Sequence, residues 1–102
     1  MSAFKHLSIN ELIHMQEDAS DVQIVDIRDA ASFAAGNIKN SVHLTNENIA
    51  HFMADADMDK PLVVVCYHGV SSQGAAGYLI EQGFDDVYSL DGGYTAWSLA
   101  HV

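Results

Sequence analysis

The architecture of this chain can be predicted from one segment, Leu62-Val63-Val64-Val65-Cys66-Tyr67-His68-Gly69-Val70-Ser71-Ser72-Gln73-Gly74-Ala75-Ala76. Its first four residues are apolar, and such a run is typical of a parallel strand that is buried on both faces. The small and polar residues that follow predict the start of a helix. The only cysteine of the chain, Cys66, lies where the strand and the helix meet.

Cys66 is the predicted nucleophile. A loop between a strand and a helix N-terminus presents unpaired backbone N–H groups and the positive end of a helix dipole, and this arrangement stabilises an anion. We therefore expect the thiol of Cys66 to lose its proton more readily than that of a free cysteine, and the thiolate is the nucleophilic form. The alternative is a small hydrophobic residue at a strand end, because free cysteines are often buried.

Length and composition exclude several classes of protein. The 102 residues, 49% of them hydrophobic, are enough for one core, so we expect a single domain over residues 1–102. Fourteen acidic and four basic residues give a formal net charge of −10, which leaves no basic surface for nucleic acid or an anionic membrane. No apolar run approaches the ~20 residues that span a bilayer, and the first residues lack a signal-peptide pattern. We expect a cytoplasmic protein.

The cysteine and histidine content also limits the chemistry. With one cysteine, the chain has no internal disulfide and no second thiol that could resolve a modified Cys66. The spacing of His68 relative to His43, His51 and His101 is not typical of metal ligands. We therefore expect no metal and no cofactor.

Strand and helix patterns alternate along the chain. Ser8 and Glu11 form a capping-box pattern, Asp29 is the expected N-cap of a short second helix, and Thr45 is expected to cap a helix from about Asn46 to Ala54. The helix after Cys66 contains small residues, which are expected to let it lie close against the sheet. This alternation predicts an α/β fold, a parallel sheet with helices on both faces, whose ligands bind beyond the carboxyl ends of the strands.

Two segments of the sequence resemble the rhodanese family. Cys66–Ser72 resembles its active-site loop, in the compact single-domain form of the GlpE type. Gly83–Trp97 fills every fixed position of its second signature, Gly-Phe-x-x-Val-x-x-Leu-x-Gly-Gly-x-x-x-Trp. An Asp-x-Arg sequence that ends at Arg28 resembles its first signature. The resemblance covers about residues 6 to 98 and implies a five-stranded sheet of order 1-5-4-2-3, with Arg28 in a mainly structural role.

The resemblance implies a sulfurtransferase that carries sulfur as a persulfide of Cys66. Thiosulfate is the implied donor, and cyanide, a thioredoxin-like protein or another thiol is the implied acceptor. Either serine hydroxyl of the loop could donate to the sulfur or cap the helix, and the histidine could contact the donor or have no role. The residues whose backbone N–H groups are implied to bind the persulfide are Tyr67, His68, Gly69, Val70, Ser71 and Ser72.

Three other hypotheses stay open. The first is a persulfide relay supplied by a protein donor such as a cysteine desulfurase, and the second is a non-catalytic binding module. The third is a phosphatase or arsenate reductase of the dual-specificity type, which needs an arginine six residues after the cysteine to bind a phosphoryl dianion. Ser72 stands at that position. Many rhodaneses carry an arginine at the position of Ser71, and loops of the GlpE type often carry a lysine at the position of Gln73. Because this chain lacks both cations, we expect thiosulfate to bind weakly and its turnover to be slow.

Overall fold

The computed structural model of the protein describes residues 4–18 and 21–100. Part of the signal-peptide argument rests on residues 1–3, which lie outside the described residues. His101, one of the histidines considered as a metal ligand, also lies outside them. Strands and helices alternate along the described part in the order β1 (Lys5–Leu7), α1 (Ile9–Asp18), β2 (Gln23–Asp26), α2 (Ala30–Ala35), β3 (Val42–His43), α3 (Ile49–Asp55), β4 (Leu62–Val65), α4 (Ser71–Glu81), β5 (Val87–Leu90) and α5 (Gly93–Ala100).

The five strands form one parallel sheet of order β1-β5-β4-β2-β3, as the resemblance implies. β4 is the central strand, and its Val64 is in register with Val25 of β2 and Ser89 of β5. All four residues of β4 are fully buried. The strands of a parallel sheet end at the same edge, so Cys66 lies at the centre of the carboxyl edge.

Helices cover both faces of the sheet, and each face has its own core. Val63 and Val65 of β4 pack on one face with apolar residues of α1 and α5. Leu62 and Val64 point to the opposite face and pack with apolar residues of α3 and α4. The alternation along β4 follows from the two-residue period of a strand. The α/β architecture expected from the sequence is therefore confirmed.

Two of the expected helix caps are confirmed. The N–H of Ser8 donates to the Glu11 carboxylate at 2.9 Å, and the N–H of Glu11 donates to the Ser8 hydroxyl at 3.1 Å. The Asp29 carboxylate accepts a hydrogen bond of 2.7 Å from the N–H of Ser32 and so begins α2. Both caps depend on residues three positions apart, which is why the sequence alone was sufficient to find them.

The start of the third helix was predicted wrongly. α3 begins at Ile49 and not near Asn46. The Asn48 side chain accepts a hydrogen bond of 2.7 Å from the N–H of Thr45, and the Thr45 hydroxyl accepts one of 3.3 Å from the N–H of Asn48. These reciprocal bonds stabilise a turn in place of a first helical turn, because polar side chains compete with the helix for backbone groups.

The small residues that pack α4 against the sheet do not include its glycines. A Cβ atom added at Gly74 or at Gly77 would meet no other atom within 4 Å. The buried residues of α4 are Ser72, Ala76 and Leu79. The two glycines therefore lie away from the sheet, and close packing is provided by the other small residues of the helix.

Candidate active site

The sulfur of Cys66 is surrounded by hydrogen-bond donors of the loop that follows β4. The N–H of Gly69 donates to Sγ at 3.1 Å, and the N–H of Ser72 donates to it at 3.2 Å. The hydroxyl oxygen of Ser72 lies 3.2 Å from the same sulfur. Cys66 is only 3% exposed, so the sulfur lies at the bottom of the loop and not on the open surface.

The N-terminus of α5 sets the orientation of the loop peptides. The N–H of Tyr94 donates to the carbonyl of Cys66 at 2.7 Å, and the N–H of Thr95 donates to the carbonyl of Tyr67 at 3.1 Å. The C=O and N–H of a trans peptide point in opposite directions. Because the Tyr67 carbonyl points toward α5, the N–H of His68 in the same peptide points the opposite way, toward the sulfur.

Two glycines allow this close approach. Gly69 has φ +85°, and a Cβ atom there would lie 2.8 Å from the backbone nitrogen of Gly92. Gly93 has φ +60°, and a Cβ atom there would lie 2.6 Å from the carbonyl carbon of Tyr67. Positive φ values of this kind favour glycine. The loop therefore turns sharply at Gly69, and α5 reaches the loop because Gly93 has no side chain.

The environment lowers the pKa of Cys66. Burial is the largest single influence and by itself raises the pKa, because it penalises the charged form. The hydrogen bond from the Ser72 hydroxyl and those from the backbone N–H groups of Ser72, Gly69 and His68 together outweigh it. Neutral dipoles thus favour the thiolate, as the position of Cys66 before a helix N-terminus predicts.

The two loop serines have different environments. Ser71 is exposed at the start of α4, whereas Ser72 is fully buried. The hydroxyl oxygens of Ser72 and of Ser89, on β5, lie 2.7 Å apart. The N-cap of α4 is Val70, which has no side chain that could cap the helix. Of the two roles considered for Ser72, contact with the sulfur is the one that its position supports.

The other loop side chains point outward. Tyr67, His68 and Val70 are exposed. The hydroxyl of Tyr67 donates to the Asp29 carboxylate at 2.6 Å and lies 2.8 Å from the Ser32 hydroxyl. The hydrogen bond from Tyr67, followed by those from Ser32, lowers the pKa of Asp29 to about 2. The ionised Asp29 therefore ties the loop to the start of α2, a contact that the sequence analysis did not predict.

Comparison with known proteins identifies the family. A family model described as the Rhodanese-like domain matches residues 8–100. This chain belongs to the rhodanese family. It is 66% identical to the thiosulfate sulfurtransferase GlpE of Shewanella oneidensis, with both chains covered completely. It is 48% identical to the GlpE of Vibrio cholerae, over 100% of this chain and 95% of that one.

A solved structure supports the same conclusion. The crystal structure of a rhodanese-like domain protein from Staphylococcus aureus superposes on this rhodanese with a TM-score of 0.81 and 29% sequence identity. The match covers 92% of this chain and 91% of that chain. The rhodanese fold therefore extends to a more distant relative than the two GlpE proteins.

Arg28 has the structural role that the rhodanese resemblance implies. Its guanidinium donates to both carboxylate oxygens of Asp26, with distances of 2.8 to 3.0 Å, and to the carbonyl of Gly36 at 2.7 Å. It also lies 4.0 Å from the centre of the Tyr94 ring. Burial lowers the pKa of Arg28, but its hydrogen bonds and charge interaction with Asp26 outweigh this effect and raise it. The only arginine of the sequence is therefore paired with Asp26 and bound to the carbonyl of Gly36.

A cavity lies between α4 and the segments that follow β2 and β3. It has a volume of about 490 Å³. Asp29, which binds Tyr67, is on its wall, but none of the residues from Cys66 to Ser72 lines it. The cavity and the donors that surround the sulfur are therefore formed by different residues.

Two further findings concern the described part of the chain. Within residues 4–18 and 21–100, no group of three or more His, Cys, Asp or Glu side chains is arranged to hold a metal ion. Over the same residues, no helix has the length and apolar composition that would be needed to cross a bilayer.

Proposed function

We propose that this protein is a thiosulfate sulfurtransferase in which Cys66 is the nucleophile and carries the transferred sulfur as a persulfide. In this proposal the backbone N–H groups from Tyr67 to Ser72 bind the sulfur atoms. The names of the S. oneidensis and V. cholerae relatives support the activity. The contacts of the cysteine support the mechanism.

The reaction consists of two displacements at sulfur. The Cys66 thiolate attacks the outer sulfur of thiosulfate, a new S–S bond forms, the S–S bond of thiosulfate breaks, and sulfite leaves with the electron pair. The enzyme then holds a persulfide whose outer sulfur carries the negative charge. Cyanide or a thiolate attacks this outer sulfur and leaves as thiocyanate or as a new persulfide, while Cys66 becomes a thiolate again. Such covalent catalysis gives ping-pong kinetics.

The convergence of donors on one sulfur is the observation that carries the proposal. The N–H groups of Gly69 and Ser72 lie 3.1 and 3.2 Å from Sγ, and the pKa of Cys66 is lowered. Backbone donors that are already oriented stabilise negative charge without reorganisation. They are suited to a thiolate and to a singly charged persulfide.

Phosphoryl transfer is less well supported. A phosphoryl dianion is normally bound by an arginine with two parallel hydrogen bonds. Ser72 stands six residues after Cys66, and Arg28, the only arginine of the sequence, is paired with Asp26. The site therefore lacks the cation that this reaction requires.

The acceptor must come from outside the chain, because there is no second cysteine. Cyanide, a thioredoxin-like protein or another thiol meets this requirement. The proposal places the protein in the cytoplasm, because a reducing compartment keeps the Cys66 thiol free between cycles.

Intact-protein mass spectrometry tests the proposal. Incubation with thiosulfate is expected to add the mass of one sulfur atom, and subsequent addition of cyanide is expected to remove it and to release thiocyanate. Cys66→Ser is the matched control, since it removes the thiol and keeps a small polar side chain, and it should gain no sulfur.

Other outcomes would favour the competing hypotheses. A sulfur adduct that forms only with a protein persulfide donor would indicate a relay. Hydrolysis of an aryl phosphate without a sulfur adduct would overturn the proposal in favour of a phosphatase. Absence of any adduct with either donor would leave a binding module as the better hypothesis.

A further inference from the structure

Ser89 is a buried polar residue in an apolar strand. It lies between Val87 and Leu90 on β5, and its side chain has no solvent exposure. The described residues contain only four buried polar or charged residues, and two of them, Asp26 and Arg28, neutralise each other. The other two are Ser72 and Ser89, and they are partners.

The contacts of Ser89 lead directly to the candidate nucleophile. Its hydroxyl oxygen is 2.7 Å from that of Ser72, which in turn is 3.2 Å from the Cys66 sulfur. Three side chains, one from the residue that follows β4, one from α4 and one from β5, therefore form one buried chain of hydrogen bonds. Burying a hydroxyl without a partner is unfavourable. In this pair each serine provides the hydrogen-bond partner of the other, although an alanine at position 89 would also be compatible with an apolar strand.

The single proton of each hydroxyl limits how this chain can be arranged. When Cys66 is a thiol, its S–H donates to Ser72, and Ser72 donates to Ser89. When Cys66 is a thiolate, Ser72 must donate to the sulfur, and Ser89 can then donate to Ser72. The two arrangements differ by rotation of two hydroxyl groups. No proton passes along the chain, and the thiol proton leaves to the solvent.

We propose that Ser89 is a positioning residue that keeps the Ser72 hydroxyl available as a reversible hydrogen-bond partner of the Cys66 sulfur. By donating to the Ser72 oxygen, Ser89 provides that oxygen with a hydrogen bond. This bond also polarises the Ser72 hydroxyl, which in turn donates to the thiolate. During the persulfide stage, which rests on the proposed function, the charge moves to the outer sulfur, but Sγ carries no proton, so Ser72 continues to donate to Sγ and Ser89 to Ser72. The effect on the free thiolate requires no sulfur donor.

The test measures the thiolate fraction of Cys66 in Ser89→Ala. The rate of alkylation by iodoacetamide is followed against pH in the absence of thiosulfate. We expect the midpoint to rise by roughly half a unit, about a threefold loss of thiolate below the midpoint, which at 1.36 kcal/mol per pKa unit corresponds to about 0.7 kcal/mol and lies within the range of one neutral hydrogen bond. Ser89→Thr, which keeps the hydroxyl, should stay close to the unmodified protein.

Two further variants separate positioning from a structural effect. Ser72→Ala should raise the midpoint more than Ser89→Ala does, and the double variant should match Ser72→Ala alone, because Ser89 acts through Ser72. Val87→Ala, on the same strand, should lower the stability of the sheet and leave the midpoint unchanged. An unchanged midpoint in Ser89→Ala, or additive shifts in the double variant, would overturn the inference. Neither result would affect the sulfur-loading test.

Discussion

At the scale of single residues, neutral donors stabilise the charge on Cys66. The hydroxyl and N–H of Ser72 and the N–H of Gly69 all lie within 3.2 Å of the sulfur. A dipolar site of this kind stabilises a thiolate without a positively charged side chain beside the sulfur.

The lowered pKa of Cys66 predicts how activity depends on pH. Sulfur loading from thiosulfate should increase as pH rises through the pKa of Cys66, because the thiolate is the reactive form. The midpoint should lie below that of the same cysteine in the unfolded chain, which alkylation in concentrated urea measures as a matched control. A folded-state midpoint equal to or above the unfolded one would contradict the hydrogen bonding described here.

The same shift has a consequence for stability. A thiol whose pKa is lower in the folded state than in the unfolded state stabilises the fold fully above the unfolded-state pKa. This contribution is lost as pH falls through the folded-state pKa of Cys66. The sign is opposite to that of a histidine that gains an acidic partner.

At the scale of elements, two helices produce the active loop in different ways. α4 begins at Ser71 and supplies one of the N–H groups that reach the sulfur. α5 does not contact the sulfur through its own N–H groups but holds the carbonyls of Cys66 and Tyr67 with its first turn. The geometry of the loop therefore depends on how closely α5 approaches the sheet.

The outward position of the α4 glycines predicts two stabilising substitutions. Gly74→Ala and Gly77→Ala should each raise the free energy of unfolding by about 1 kcal/mol, because alanine restricts the unfolded chain and favours a helix interior. Urea denaturation measures the change. Gly93→Ala is a matched control with the opposite expected sign, since its Cβ atom has no space and its φ is +60°. Destabilisation by either α4 substitution would contradict this prediction, because it would show that this face of α4 packs against another part of the protein.

At the scale of the whole molecule, charge is distributed unevenly between the interior and the surface. Asp26 and Arg28 form a buried pair at the end of β2, with side-chain exposures of 0% and 4%. The surface carries the net charge of −10. These two features lead to separate predictions.

Breaking the buried pair should strongly destabilise the protein. Arg28→Met leaves the Asp26 carboxylate buried without its partner, and the expected loss in the free energy of unfolding is about 3–5 kcal/mol. The double variant with Asp26→Asn should recover part of this loss. Lys5→Ala provides the comparison, because the ion pair of Lys5 with Asp86 is largely exposed, so solvent screening should leave it only a small effect on the free energy of unfolding. Equal effects of the two single substitutions in urea denaturation would contradict this assignment.

The negative surface should slow the approach of thiosulfate at low salt. Raising the ionic strength from about 0.01 to 0.1 M shortens the Debye length from ~30 to ~10 Å, so kcat/KM for this dianion should increase. The reaction of Cys66 with iodoacetamide, which is neutral, should change much less under the same conditions. A decrease in kcat/KM for thiosulfate would indicate local attraction that outweighs the net charge.

Local patterns in the chain were sufficient to predict the alternation of strands and helices, two helix caps and the place of Cys66. Each of these depends on residues that are close in the sequence. The order of the strands came from the family resemblance, because no local pattern specifies which strands become neighbours. The start of α3 was missed because the Thr45 and Asn48 side chains form a turn that resembles a helix cap in the sequence.

Long-range packing established the remaining features of the site. Ser72 and Ser89 are 17 positions apart, and Tyr67 and Asp29 are 38 apart. A polar residue inside an apolar strand was a visible signal for Ser89, but its partner was not. These contacts exist because the sheet places β4 beside β5 and β2, and because backbone geometry turns each side chain in one direction. Only the assembled sheet determines these distances, because the atoms that they join belong to residues that are far apart in the sequence.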